Sequence, residues 1–124
     1  MTIKSLSTMF ILLPALILIS CSSHKETVQE WTDSRSHRIE FSSWSNESKV
    51  ELDLLKEDVL QVSIKHDSGQ IALRIFRLDG LEAYTGQGLG SCFFTVGIPE
   101  QGRYVILVQG KKASGRVEIK SDTI

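Results

Sequence analysis

With 124 residues the chain has room for one domain, and its formal net charge of −1 leaves no surplus of either sign. A pI of about 6.3 and the lack of a basic stripe exclude a nucleic-acid partner, and polybasic attraction to anionic lipid is excluded on the same ground. The first element in the chain is an export leader: Lys4 supplies a positive start, and Met9 through Ile19 form an apolar run. That run is too short to span a bilayer, since a membrane helix needs about 20 apolar residues, and Pro14 weakens it as a permanent helix.

The leader ends in Leu18-Ile19-Ser20-Cys21. This resembles the bacterial lipobox, with an aliphatic residue three positions before the cysteine and a small residue directly before it. The resemblance implies that residues 1–20 are a lipoprotein signal peptide and that the Cys21 thiol carries the lipid. Two or more acyl chains anchor stably, each buried methylene contributing roughly 0.8 kcal/mol. The expected location is therefore extracytoplasmic, on the cell membrane or on the outer membrane of a cell that has two. Residues 21–35 then read as the lipidated cysteine and a polar tether, and 36–124 as the folded domain. Removing the leader leaves 104 residues, enough for a core without disulfide staples. With Cys21 lipidated, Cys92 has no partner and reads as core filler on the face of Phe94, Val96 and Ile98.

From residue 36 onward the apolar residues alternate, the period of a half-buried strand. His37, Ile39 and Phe41 share one face, then Val50, Leu52 and Leu54, then Leu60, Val62 and Ile64. Ile71, Leu73 and Ile75 follow, with a short strand at Ala83-Tyr84 and another at Phe94 and Val96. Tyr104, Ile106 and Val108 come next, and Val117 with Ile119 closes the series. An extra strand is expected around Thr27–Trp31. Turn residues separate the strands at 56–58, 67–69, 79–80, 86–90, 99–102 and 111–115. Eight or nine strands at such spacing predict an all-β fold, a two-sheet, jelly-roll-like β-sandwich.

Two of these strands are apolar on both faces. Phe76 lies opposite Ile75, and Val105 and Leu107 lie opposite Tyr104, Ile106 and Val108. With Phe93 they form a candidate partner-contact patch, unless long side chains such as Arg74 and Arg77 cover it. Trp31, Trp44 and Tyr84 adjoin polar segments and are candidate glycan contacts, although aromatics also close the ends of small sandwiches.

The block from Leu60 to Val108 contains an apolar strand after the charged turn Asp67-Ser68-Gly69, the Asp79-Gly80 turn, and Pro99-Glu100-Gln101-Gly102-Arg103-Tyr104-Val105-Ile106-Leu107-Val108. In these features it is similar to the pre-peptidase C-terminal domains of secreted bacterial proteins and to GOLD-like sandwiches. The resemblance spans roughly 36–120 and implies a fold; no active-site residue comes with it. Tyr104 is expected to bury its ring with the hydroxyl near a strand end.

Catalytic chemistry finds little support. His24, His37 and His66 lack metal-ligand spacing, so no metal and no cofactor are expected. His66-Asp67-Ser68 has the residue types of a triad, but consecutive positions cannot orient one another in that way. The carboxylates of Glu51, Asp53, Glu57 and Asp58 read as a solvated face rather than a calcium loop. The expectation is a non-enzymatic binding or assembly module at the cell envelope, its partners the membrane through Cys21 and an envelope protein. The alternative is a carbohydrate-binding module using exposed aromatics. An enzyme would require a pocket bringing His37 or His66 against a carboxylate and a hydroxyl.

Overall fold

The computed structural model describes residues 25–122; the leader, Cys21 and His24 lie outside them. Within that range the chain forms β1 (Thr27–Thr32), β2 (Ser36–Trp44), β3 (Glu47–Leu54), β4 (Val59–Arg77), β5 (Glu82–Gly86), β6 (Cys92–Gly97) and β7 (Gly102–Asp122). β1 thus occupies part of the segment expected to be tether, where the sequence also suggested an extra strand. Every pairing is antiparallel. The hydrogen-bonded order is β1-β2-β7-β4-β5, with β3 also on β7 and β6 also on β4.

β4 and β7 organise the molecule, at 19 and 21 residues, and they pair along nearly their whole length. Their first and second halves take different neighbours. Residues 102–109 of β7 pair with β3, and 113–120 pair with β2. Residues 59–64 of β4 pair with β6, and 73–76 pair with β5. The single sheet therefore has two leaves. One, here the β3 leaf, contains β3, β5 and the adjoining halves of β4 and β7. The other, the β1 leaf, contains β1, β2, β6 and the remaining halves.

The leaves meet over one apolar core. Ile39, Leu60, Val62, Val117 and Ile119 enter it from the β1 leaf, and Ile71, Leu73, Ile75, Tyr104 and Ile106 from the β3 leaf, all fully buried. At one margin Tyr84 of β5 packs on Phe94 of β6, ring centroids 4.9 Å apart. At the other, His37 of β2 meets Ser48 of β3.

The sequence suggested eight or nine strands, and the described residues form seven. The difference lies at two segments read as turns, 67–69 and 111–115, which are bends within continuous strands. The inward residues of β4 are even-numbered up to Ile64 and odd-numbered from Ile71; those of β7 change from even to odd between Val108 and Ala113. Pairing register shifts between His66 and Ser68 and again between Ser68 and Gln70. An extra residue at a bulge moves the following side chains to the opposite face, so one face of the sheet stays toward the core around the bend. Gly69 (φ +75°) and Gly115 (φ +150°) sit at this corner, each against the partner strand's backbone.

The other turns fall where their residues suggested. Gly80 donates its N–H to Arg77 O at 2.8 Å, and Arg77 forms a two-pronged ion pair with Asp79 that holds this carboxyl at a pKa of about 2. Tyr104 is fully buried, and its hydroxyl donates to Glu100 O at 2.6 Å. The ring is solvated by core and the hydroxyl satisfied by the turn it helped to close.

Candidate functional site

The outer face of the β1 leaf gathers the exposed aromatic and charged side chains into register. Trp31 pairs with Arg38, Arg38 with Glu118, Glu118 with Ser63, and Ser63 with Phe93. On β2, β7 and β4 the neighbours of these residues (Ile39, Val117, Ile119, Val62, Ile64) point into the core, so this row points away from it. Trp31 is 48 % exposed and Phe93 65 %, one at each end of a row that crosses five strands. A parallel row runs Gln29, Glu40, Arg116, Lys65.

Two open clefts lie on this face. One, of about 350 Å³, is lined by Trp31, Ser36, Arg38 and Glu118 among others. The other, of about 500 Å³, lies toward the corner and is lined by Gln29, Glu40, Lys65, Asp67 and Arg116 among others. The Arg38 guanidinium lies 5.0 Å from the centre of the Trp31 ring and pairs with Glu40. Its Nε is shielded from solvent and has no hydrogen-bond partner. Stacking on Trp31 and the charge-assisted hydrogen bond to Glu40 together fix Arg38. Among the described residues, no ion pair engages Lys65, Arg116, Glu118 or Lys120.

The aromatic and apolar residues singled out from the sequence separate into distinct environments. Trp31 and Phe93 are exposed on the face just described. Trp44 is 3 % exposed and stacks on Phe41 with centroids 5.0 Å apart, so it is a core residue and not a glycan contact. Tyr84 is half-buried against Phe94. Val105 and Leu107 are buried, at 6 % and 7 % exposure, which removes them from any contact patch. Their cross-strand neighbours are Glu51 and Phe76, and Lys49 and Arg74. Phe76 is itself half-buried, with the Arg74 guanidinium 4.5 Å from its ring centre. Long charged side chains lie over this apolar strip by their stems and keep their heads in water. Cys92 also departs from expectation: it opens β6 opposite Ile64 but is exposed, because it lies at the end of an edge strand, beyond the packed core. Cys21 lies outside the described residues.

Of the acidic residues, Glu51 and Asp53 both pair with Arg103, at 2.6 and 3.2 Å, as befits a solvated strand face. Asp58 accepts the Leu55 N–H at 2.7 Å within its turn. His66 contacts Gly69 O at 2.7 Å at the corner, so the consecutive His-Asp-Ser serves the bend.

His37 does meet a carboxylate and two hydroxyls, through residues the sequence reading passed over. Its Nδ1 is 2.9 Å from Thr32 Oγ1, and its Nε2 is 3.4 Å from Ser48 Oγ and 3.7 Å from Glu30 Oε1. Ser48 in turn donates to Glu30. A hydrolytic relay needs the acid on one ring nitrogen and the nucleophile on the other. Here Glu30 and Ser48 share Nε2 and Thr32 takes Nδ1, but the ring between them is 1 % exposed and Ser48 is buried, which closes the cluster to a substrate. The cluster is a clasp that ties edge strand β1 and β2 to β3 of the opposite leaf.

Burial holds the His37 pKa below its ordinary value of 6.5, partly offset by the Glu30 charge. The unfolded chain therefore takes up this proton at a higher pH than the folded one. The clasp's stabilisation is complete above about pH 6.5 and declines as pH falls through the lower folded value. Urea unfolding at about pH 7.5 and about pH 5 is expected to give a smaller pH-dependent loss for His37→Gln than for the native chain. Equal losses in both would assign the pH dependence elsewhere.

No protein-family model matches the chain, and no curated protein sequence matches it. Among solved structures it is similar to PliG from Aeromonas hydrophila, a periplasmic lysozyme inhibitor of g-type lysozyme. That similarity has a TM-score of 0.48 at 16 % identity, covering 72 % of this chain and 88 % of that one. A CBM4 structure aligns with TM-score 0.42 at 11 % identity, over 77 % of this chain and 74 % of the other. Procruciferin, the 11S globulin of Brassica napus, aligns with TM-score 0.39 at 14 % identity, over 71 % of this chain and 22 % of that one. What the chain has in common with these structures is a β-rich domain.

Proposed function

We propose that this protein is a membrane-anchored extracytoplasmic lipoprotein acting as a non-enzymatic binding module at the cell envelope. Its contact surface is the outer face of the β1 leaf, and its body is a jelly-roll-like sandwich made by folding one sheet over a shared core. The observation that carries the reading is the row from Trp31 to Phe93, two exposed aromatics flanking polar side chains on a rigid sheet. Exposed aromatics held on a fixed scaffold are the residue type that anchors contacts. The lipobox-like run before Cys21 supports the anchor. Thr27 comes six positions after Cys21, a reach of at most about 22 Å, so a lipid on Cys21 keeps β1 close to the membrane surface.

The test uses the full chain in a bacterium that processes lipoproteins. Labelled palmitate is expected to enter the native protein and not Cys21→Ser. The lipidated protein is expected to co-sediment with cell-envelope fractions, and Trp31→Ala with Phe93→Ala to weaken retention at least about tenfold while circular dichroism stays native. Retention unchanged by that double substitution would remove the face from the function, and absent labelling would remove the anchor.

A further inference from the structure

We infer that β6 is a docking edge for a second copy of this chain, the two β6 strands pairing antiparallel about a twofold axis at Thr95. The β1 leaves of the two copies then form one continuous sheet. This goes beyond the binding-module reading and does not depend on it.

Among the described residues, β1, β3, β5 and β6 each pair with a single strand and so present a free edge. Such an edge displays unpaired N–H and C=O groups, and native edges are blunted by charge, proline, bulges or shortness. Three of the four edges here are blunted in those ways. β1 turns Glu30 to the core side, opposite Ile39, where Ser48 donates to its carboxylate. β3 carries Glu47, Lys49, Glu51 and Asp53. β5 has only five residues, includes Glu82 and is irregular in its pairing with β4. β6 reads Cys-Phe-Phe-Thr-Val-Gly, with no charge, no proline and an unbroken register on β4.

The free groups of β6 follow from its hydrogen bonds. Ile98 donates its N–H to Asp58 O and accepts the Glu57 N–H, so both its backbone groups turn toward the β4 side. Backbone direction alternates along an antiparallel strand. Val96, Phe94 and Cys92 therefore face β4, and Gly97, Thr95 and Phe93 face outward. No turn or side chain among the described residues bonds these last three.

Two such edges complement each other. With Thr95 opposite Thr95 of the second copy, Phe93 of each lies opposite Gly97 of the other. Every outward-facing residue of β6 then exchanges its N–H and C=O bonds with a partner. Phe93 is 65 % exposed and open space lies over Gly97, so each ring covers the other copy's glycine, which compensates an edge position that has no side chain. On the core side, half-buried Phe94 meets Val96 of the second copy and joins the two cores. Sliding either strand by two residues leaves an outward group beyond the end of its partner.

The test uses the full chain. Sedimentation equilibrium in density-matched detergent is expected to show a dimer. Thr95→Lys sets two like charges face to face and is expected to weaken association at least about tenfold, with native circular dichroism because Thr95 is exposed. An equal mixture of Thr95→Lys and Thr95→Glu is expected to restore the dimer. Register is read by cross-linking in isolated membranes with copper phenanthroline under air, on a Cys92→Ser background that itself gives no linked dimer. Thr95→Cys is expected to link there, since directly opposed residues of such a pair have Cα atoms about 5.5 Å apart, within disulfide range. Lys49→Cys, on the charged β3 edge, is expected not to link. A native chain that stays monomeric at every concentration, or a dimer that survives Thr95→Lys, would overturn the β6 edge as the interface. A dimer lost in Thr95→Lys but not linked by Thr95→Cys would overturn the twofold register at Thr95.

Discussion

Gly115→Val is expected to destabilise the protein by at least about 4 kcal/mol, enough to leave a domain of this size largely unfolded. Gly115 has φ +150°, and an ideal Cβ at its position would lie 2.0 Å from Lys65 O on β4. Gly69 is its counterpart on the other strand, with φ +75° and a Cβ that would lie 2.0 Å from Lys112 O. At each point the obstacle is backbone, so no rotamer change relieves it. The two longest strands would have to separate where they bend together, and the β4–β7 hydrogen bonds on either side hold both leaves over one core. A side chain at positive φ adds roughly 1–2 kcal/mol of its own. Gly80 provides the control: it too has positive φ (+102°), but nothing lies within 4 Å of the added Cβ. Gly80→Ala should therefore show only the backbone cost, about 1–2 kcal/mol. Urea unfolding followed by circular dichroism reads all three proteins. A Gly115→Val midpoint equal to the native one, or equal to that of Gly80→Ala, would contradict a corner built on close backbone approach.

Trp44→Ala is expected to cost about 3–5 kcal/mol and to leave the outer face of the β1 leaf intact in the molecules that fold. Trp44 ends β2 just past the irregularity between Phe41 and its own pairing with Ala113. Its ring stacks on Phe41 and lies against Gly110, where an ideal Cβ would sit 2.5 Å from Trp44 Cε3. The indole thus fills the space opened where β7 bends, and its removal leaves a cavity that a continuous sheet cannot collapse to fill. Trp31→Ala should behave in the opposite sense, with a small change in unfolding midpoint and a large loss of envelope retention. Thermal melts and co-sedimentation on the two variants separate these roles. A Trp44→Ala protein within about half a kcal/mol of native stability would contradict its placement in the core.

Much of the architecture was legible before any coordinates. The inward sets Ile39 and Phe41, Leu60 to Ile64, Ile71 to Ile75 and Tyr104 to Val108 all appear as period-2 alternation, and all are buried. The turn at Asp79-Gly80 and the Tyr104 hydroxyl closing on the Pro99–Gly102 segment followed from local residue chemistry in the same way. Even the bend in the sheet is written in the chain, as the change from even to odd inward positions after Ile64 and after Val108. That signal has two solutions, a reversal between two strands or a bulge within one, and turn residues such as Asp67-Ser68-Gly69 serve either. The choice was made by β4 and β7 together: each bends where the other does, so pairing is kept through the corner.

The site depended still more on partners distant in sequence. Trp31 and Trp44 look alike in the chain, each beside polar residues; one crosses from Arg38 on an edge strand and the other fills the bend of β7. Val105 and Leu107 alternate as an exposed apolar face would, yet Lys49, Glu51, Arg74 and Phe76 flank them across the sheet. Arg38, Ser63, Phe93 and Glu118 are spread over 80 positions and form one row only through register. Alternation is a property of each strand alone, so the sequence by itself determined which residues turn inward. Which outward residues stand side by side is set by pairing between strands, and only the tertiary structure decided that.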